Sequence, residues 1–296
     1  MANGLMTSSI SENMRGAVLM ALCMAAFAVN DASMKLAAEH LSLFQAVFIR
    51  AIFTTVLLGL LAYYKKAIVF HIPRVDRKPL VLRLIGEIGA ALFFLNALFN
   101  MPLANATAIL QALPLAVTLA GALFLREAVG WRRYLAIGIG FIGMLIIVRP
   151  GSDGFNEFSL SAVVAVFFVV LRDLTTRKLS QATPSLFVAF LTSVAILIFG
   201  AIGSMVTEWK PVSLEGSSLI AAASVFIIFG YLFSIMAMRV GDVSFSSPFR
   251  YTVLIWAIIL GFVVFGDIPD GWTLFGSLII VVTGIYTFYR ERRLAR

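Results

Sequence analysis

Long apolar runs separated by short polar stretches dominate the chain, and each run is close to the length of one membrane crossing. A helix rises 1.5 Å per residue, so about 20 apolar residues cross roughly 30 Å of hydrocarbon. That length predicts spans over residues 16–36, 43–64, 80–100, 105–126, 131–149, 159–178, 185–206, 217–239, 245–266 and 271–289. Turn residues punctuate them at Pro102, Gly130, Pro150-Gly151, Pro184, Gly241 and Pro269-Asp270-Gly271,. The first run is longer than the apolar core of a secretory leader. It continues into Asn30-Asp31 and Lys35 without a small-residue cleavage site, so it is read as a retained span,. The expected fold class is an all-α polytopic membrane protein with ten transmembrane helices.

Composition agrees. Of 296 residues, 61% are hydrophobic and 13% charged, and the mean hydropathy is +0.99. A soluble domain carries about a quarter of its residues charged, so lipid is the solvent for most of this surface. The net charge of +8 does not point to nucleic acid, because the basic residues form short clusters between apolar runs rather than one stripe. Those clusters fall on one side: Arg15, Lys65 to Arg83, Arg126 to Arg133, Arg172 to Lys178, Arg239, and Arg290 to Arg296. The other side holds only Lys35, Arg149 and Lys210, while Arg50 and Arg250 lie inside spans. The positive-inside bias predicts a multi-pass inner-membrane protein with both termini cytoplasmic. Cys23 is the only cysteine, and His40 and His71 form no ligand pair, so neither a disulfide, a metal site nor a cofactor is expected,.

The chain also resembles itself at a spacing of about 140 residues. The first span ends Asn30-Asp31-Ala32-Ser33-Met34-Lys35 and the sixth ends Arg172-Asp173-Leu174-Thr175-Thr176-Arg177; Ser-Leu-Phe follows both, at 42–44 and 185–187. Leu125-Arg126-Glu127 before Gly130-Trp131 matches Phe265-Gly266-Asp267 before Gly271-Trp272. Two repeats, 1–151 and 152–296, of five spans each must face opposite ways in the membrane. Inverted repeats place a binding site near the midplane between the halves and provide two equivalent shapes, one open to each side.

The stretch from Pro102 through Asn105, Thr107, Gln111 and Pro114 to Gly130-Trp131-Arg132-Arg133 resembles the EamA domain of the drug/metabolite transporter superfamily. Phe48-Ile49-Arg50 and the run from Gly138, Gly140 and Gly143 to Arg149-Pro150-Gly151 are similar to it too. Asp267 departs from the usual Glu, which keeps the charge but shortens its reach. The Arg172-to-Arg177 segment is similar to a bacterial subgroup that includes S-adenosylmethionine and riboflavin carriers. The resemblance implies a ten-helix secondary transporter and leaves the cargo open.

Charges in a bilayer cost roughly 2.5–3.5 kcal/mol each at a helix centre, which makes them functional candidates. Asp31, Glu87 and Asp173 face Arg50, Arg172 and Arg250 in number. Depth along the spans places Asp31 and Arg50 toward the outer side, and Glu87, Arg172, Asp173 and Arg250 toward the inner side. One gate or half-site on each side is the expectation. Phe94, Asn96, Asn100 and Gln111 add polar and aromatic candidates in the third and fourth spans; Pro114 is a kink site there. Tyr231, Tyr251 and Trp256 are candidates for an aromatic wall that stacks on a flat or cationic cargo. Glycines 138, 140, 143, 276 and 284 predict close helix packing in the fifth and tenth spans.

The expected partner is a small polar or zwitterionic molecule, amino-acid-like, S-adenosylmethionine-like or flavin-like, moved by alternating access. Proton coupling and exchange stay open, as do monomer and homodimer. A channel or an intramembrane enzyme are the alternatives; no nucleophile–base motif, ligand cluster or phosphate loop supports catalysis or a primary pump.

Overall fold

The structure, a computed structural model, describes residues 2–69, 71–124, 130–151, 155–180, 182–239 and 246–294, leaving aside the side chains of 2–11, 177, 234, 235, 238, 239, 247 and 291–294. The sequence match at Leu125-Arg126-Glu127, the turn at Gly241 and the tail arginines 292, 293 and 296 fall outside those residues and side chains.

The helices are α1 (Ala2–His40), α2 (Leu43–Tyr64), α3 (Arg74–Asn100), α4 (Leu103–Leu110), α5 (Leu113–Phe124), α6 (Trp131–Val148), α7 (Phe158–Arg177), α8 (Ser185–Met205), α9 (Leu214–Arg239), α10 (Thr252–Phe265) and α11 (Gly271–Leu294), with a 3-10 turn at Ser247–Tyr251 before α10. Among the described residues, ten helical stretches are long and apolar enough to cross a membrane; α4 with α5 forms one, and the 3-10 turn with α10 another. We call the face that carries both chain ends the terminal face and the other the distal face.

Prolines start several helices. Pro73, Pro102 and Pro184 stand at the N-caps of α3, α4 and α8, where a missing N–H costs nothing,. The third span begins at Arg74 rather than at residue 80. The apolar length rule finds only the lipid-embedded part, and a polar first turn carrying Asp76 extends α3 beyond it.

Two spans are broken at matching places. Gln111 ends α4 with φ −67° and ψ −13°; Tyr251, about 140 residues on, precedes α10 with the same φ −67° and ψ −13°. Broken helices inside a membrane leave backbone groups that only neighbouring protein or a cavity can satisfy.

Each half packs chiefly on the other: α1 on α9, α3 on α7, α2 on α8 and α6 on α11. The contacts repeat with the sequence. A methyl group added at Gly89 would run into the ring of Phe168, and one added at Gly230 would run into Phe27. A single shift of about 140 residues exchanges these two pairs. Likewise Gly59 meets Phe190, and Gly200 meets Phe48. In α6 and α11, a Cβ at Gly143 would stand 2.9 Å from the Gly276 carbonyl, so close packing there holds. Gly138 is different: open space surrounds it, because it faces out of the bundle.

Candidate functional site

The longest polar network runs through the middle of the bundle. It begins at Gly86, whose missing side chain lets the α3 backbone lie directly on α7; a Cβ there would sit 2.8 Å from the Arg172 nitrogen. That approach puts Glu87 of α3 beside Arg172 of α7, Nη1 to Oε1 3.7 Å. One turn earlier, Arg83 Nη1 lies 3.8 Å from Glu87 Oε2 and donates to Thr192 Oγ1 of α8. Arg172 Nε also donates to Asp173 Oδ1 at 2.8 Å. The result is a row of alternating charge, Arg83–Glu87–Arg172–Asp173, joining three helices.

Across from it, α1 and α2 supply a second group. Asn30 Nδ2 donates to Asp31 Oδ1 at 2.8 Å, and Asn30 Oδ1 accepts from Arg50 Nη1 at 3.4 Å. Asn30 is thus a neutral spacer between Asp31 and Arg50, and among the described residues Asp31 has no ion-pair partner within 4 Å. Tyr231 of α9 closes the ring. It interacts electrostatically with Glu87, Arg172, Arg50 and Arg83, and its ring meets Phe27 edge-on at 5.9 Å. Tyr231 keeps 45% of its surface accessible although it stands opposite charges on three other helices, so it borders open space rather than packed core.

This layer redraws the expected map. Asp31 and Arg50 form one set through Asn30, and Glu87, Arg172 and Asp173 form another; Arg50 and Tyr231 interact electrostatically with Glu87 across the two. Arg250 stays apart in the 3-10 turn; its buried Nε has no hydrogen-bond partner among the described residues, and Glu87 pairs with Arg83 and Arg172 instead. Tyr251 points to α11, where its hydroxyl meets Gly284. Trp256 lies on the outside of α10, 37% exposed. Phe94 packs half-buried against the main core. Asn96 Nδ2 donates to Ser161 Oγ (3.2 Å), which donates to the Phe93 carbonyl (2.9 Å), so it joins α3 to α7. Asn100 turns back on the Asn96 carbonyl at 2.8 Å. Gln111 is buried at the break in the fourth span and contacts Thr107 O at 3.5 Å. Sequence reading missed Arg83, Thr192, Asn30 and Phe27. The four-residue spacing of Arg83 and Glu87 on one helix face was the available signal for the first.

Both rims are stitched between halves. On the distal face, Gln45 of α2 grips residue 210: its Nε2 donates to the carbonyl (2.8 Å) and its Oε1 accepts from the amide (3.2 Å). Nearby, His40 Nε2 stands 3.7 Å from Glu215, and Lys35 Nζ donates to the Met101 carbonyl at 2.7 Å. Arg149 pairs with Asp270. On the terminal face, the buried Asp76 accepts from the Ser180 amide (2.9 Å), the Ser180 hydroxyl (2.7 Å) and the Thr183 hydroxyl (2.6 Å). No group of three or more His, Cys, Asp or Glu that could hold a metal occurs among the described residues.

The sequence profile of the EamA-like transporter family matches residues 14–149 and again 158–290. An S-adenosylmethionine uptake transporter of Rickettsia prowazekii is 26% identical over 297 residues, 97% of each chain. A riboflavin transporter of Vibrio cholerae is 32% identical over 213 residues, 72% of this chain and 71% of that one. A pseudopaline exporter, CntI, of Pseudomonas aeruginosa is 28% identical over 285 residues, 91% of this chain and 94% of its own. A crystal structure shares the fold with a TM-score of 0.64 at 18% identity, covering 96% of this chain and 99% of the other.

Proposed function

Since the chain belongs to the EamA-like transporter family, a family of secondary transporters with a two-repeat membrane fold, we propose that it moves a zwitterionic, amino-acid-like metabolite across the inner membrane by alternating access. One observation carries the reading. Asp31 of α1 and Arg172 of α7 come from different halves, carry opposite charge and belong to the polar groups on either side of Tyr231. A carboxylate and a guanidinium in neighbouring polar groups suit a molecule with an ammonium or sulfonium at one end and a carboxylate at the other. Tyr231 and Phe27 offer an aromatic surface beside them for a flat or cationic group,. S-adenosylmethionine, the cargo named for the Rickettsia relative, has all of these features.

Residues 1–151 and 152–296 form the two repeats in this reading, with both termini cytoplasmic as the basic clusters require. The full charged layer lies within one chain, so a monomer suffices. Asp31, free of a direct ion pair among the described residues, is where the cation of the cargo, or a proton, binds.

Counterflow in proteoliposomes tests this. Vesicles are loaded with unlabelled S-adenosylmethionine, an amino acid or riboflavin, and uptake of the same labelled compound is followed. Overshoot with a zwitterion, lost in Asp31→Asn, is the expected result. Overshoot with riboflavin alone, insensitive to Asp31→Asn, would overturn the proposed cargo class.

A further inference from the structure

The central polar groups sit on two packed pairs of helices. Asp31 and Tyr231 come from α1 and α9, which pack on each other; Glu87 and Arg172 come from α3 and α7, which do the same. A route across the membrane would run along the seam between these pairs. A side chain that ties α1 to α3 at one end of the seam therefore controls access from that end. At the distal end Lys35 makes such a tie.

Lys35 follows Asp31 by four residues on α1, one turn nearer the distal face and on the same side of the helix,. Its ammonium crosses to the last turn of α3, where Nζ donates to the carbonyls of Met101 (2.7 Å) and Leu98 (3.3 Å). The sequence explains why these acceptors need a donor from elsewhere. In a continuing helix the Leu98 carbonyl would accept from the amide of residue 102, but Pro102 has no N–H,. Met101 has left the helix, at φ −145° and ψ 163°, and the Asn105 and Ala106 amides both go to the Pro102 carbonyl. The end of α3 thus turns bare carbonyls, with the negative end of its dipole, on a cation. Phe265, the last residue of α10, places its ring 5.3 Å from the same ammonium, so one side chain joins three helices and both halves. Beside it, Ala32, Met34 and Ala37 of α1 and Leu95, Leu98 and Met101 of α3 are buried in one apolar cluster. The seam is closed at this end.

We propose that Lys35 is the latch of the distal gate, a positioning residue for transport. Held on the α3 carbonyls it keeps α1 against α3 and shuts the seam over Asp31; each cycle requires its release. This role rests on the alternating-access reading above. Glu39, one turn further along α1, and Asp267, just past α10, act electrostatically on the same ammonium. The charge therefore keeps counter-charges when the carbonyls withdraw.

Cysteine labelling of the full chain in lipid nanodiscs tests it, in a Cys23→Ser background with one reporter at a time. Ala32→Cys is buried on the Lys35 side of α1, and Leu174→Cys stands at the matching place in α7. With Lys35→Met added, a maleimide is expected to label Ala32→Cys about tenfold faster, as loss of one charge-assisted hydrogen bond allows. Leu174→Cys is labelled no faster. Phe265→Leu, which removes only the ring under the ammonium, raises Ala32→Cys labelling by about threefold. Lys35→Arg keeps donors at the carbonyls and stays within about twofold of the unmodified latch. An equal rise at both reporters is what a loosened fold produces, and it overturns the proposal. Slow Ala32→Cys labelling that neither Lys35→Met nor Phe265→Leu changes overturns the latch alone. Fast labelling of both reporters with Lys35 in place would mean a path open from both faces, which overturns the alternating-access reading and the latch with it.

Discussion

The centre and the rims of this molecule treat its internal symmetry differently. At the rims, equivalent pairs of loops are both clamped by hydrogen bonds between halves: Gln45 on residue 210 at the distal face, Asp76 on Ser180 and Thr183 at the terminal face. At the centre, the two halves contribute different charges: Asp31, Arg50, Arg83 and Glu87 from the first, Arg172 and Asp173 from the second. Symmetry is kept at the two rims and broken in the layer proposed to hold one asymmetric molecule. The central difference is the first to break. Asp31→Asn removes a charge that has no direct ion pair among the described residues, so the fold should hold its melting temperature while counterflow of a zwitterion falls by about 100-fold, the worth of about two charge-assisted hydrogen bonds. Arg172→Gln strands Asp173 and leaves Glu87 with Arg83 alone, and should lose both transport and stability, the latter by about 3–5 kcal/mol if the pair behaves as a buried one. Unchanged counterflow in Asp31→Asn would remove the centre from the comparison.

Next in size is the packing that creates the centre. Gly86→Ala would push α3 off the α7 backbone, because the atoms its Cβ meets are main-chain atoms that cannot rotate away. Overpacking of this kind costs about 1–3 kcal/mol, and it would widen the Glu87–Arg172 pair at the same time. Thermal unfolding in detergent and counterflow should fall together. A stable Gly86→Ala protein with full transport would mean that the charged row tolerates a looser fit.

The two rim clamps should differ in strength. Asp76 is a carboxylate taking three donors, Gln45 a neutral amide exchanging two bonds with one backbone residue. Hydrogen bonds to charged groups contribute about 1.5–3 kcal/mol against about 1 kcal/mol for neutral ones. Asp76→Ala should therefore raise labelling of a reporter cysteine at the terminal face by about tenfold, in a Cys23→Ser background, and Gln45→Ala should raise distal labelling by only about threefold. Equal effects would show that charge adds nothing to closure; labelling that rises on the opposite face would reverse the assignment of the clamps.

How much of this was legible in the sequence follows from which coordinate each feature depends on. Span positions depend on length and hydropathy alone, so all ten were readable, while α1 and α3 run well past their apolar limits. Individual charges were readable too. Their convergence was not, because depth along a helix was known and rotation about its axis was not. Arg250 and Glu87 share a depth but face different neighbours. Tyr251 and Tyr231 both read as an aromatic wall, yet one faces Gly284 and the other Phe27. Arg83 was counted as a topology charge for its side of the membrane, although its spacing from Glu87 marked it as a partner. The inverted packing left a trace in Gly89–Phe168 and Gly230–Phe27, but two-residue matches separated along the chain gain meaning only once α3 is seen on α7 and α1 on α9.

The smallest effect lies at the distal rim, where Asp270 pairs with Arg149 just outside the membrane spans. Partial burial pushes the Asp270 carboxyl up, but the hydrogen bonds from Thr273 (N–H to Oδ1 2.9 Å), together with the Arg149 guanidinium, outweigh it and hold the group below its ordinary range. A depressed folded-state value means that this contact stabilises the protein above the unfolded value, about 4 for an aspartate, and is lost as pH falls through the folded one. Stability from this pair is thus flat from neutral pH to about 5 and declines only in more acid solution. The side chain is 45% exposed, so solvent screening limits the contribution to about 0.5 kcal/mol. Asp270→Asn should leave the melting temperature near pH 7 lower by a degree or so, by about that energy, and should close the gap to wild type below about pH 4. A gap that widens in acid would mean that the carboxyl is raised rather than depressed, and that the distal rim is held by the neutral clamp at Gln45 without help from this pair.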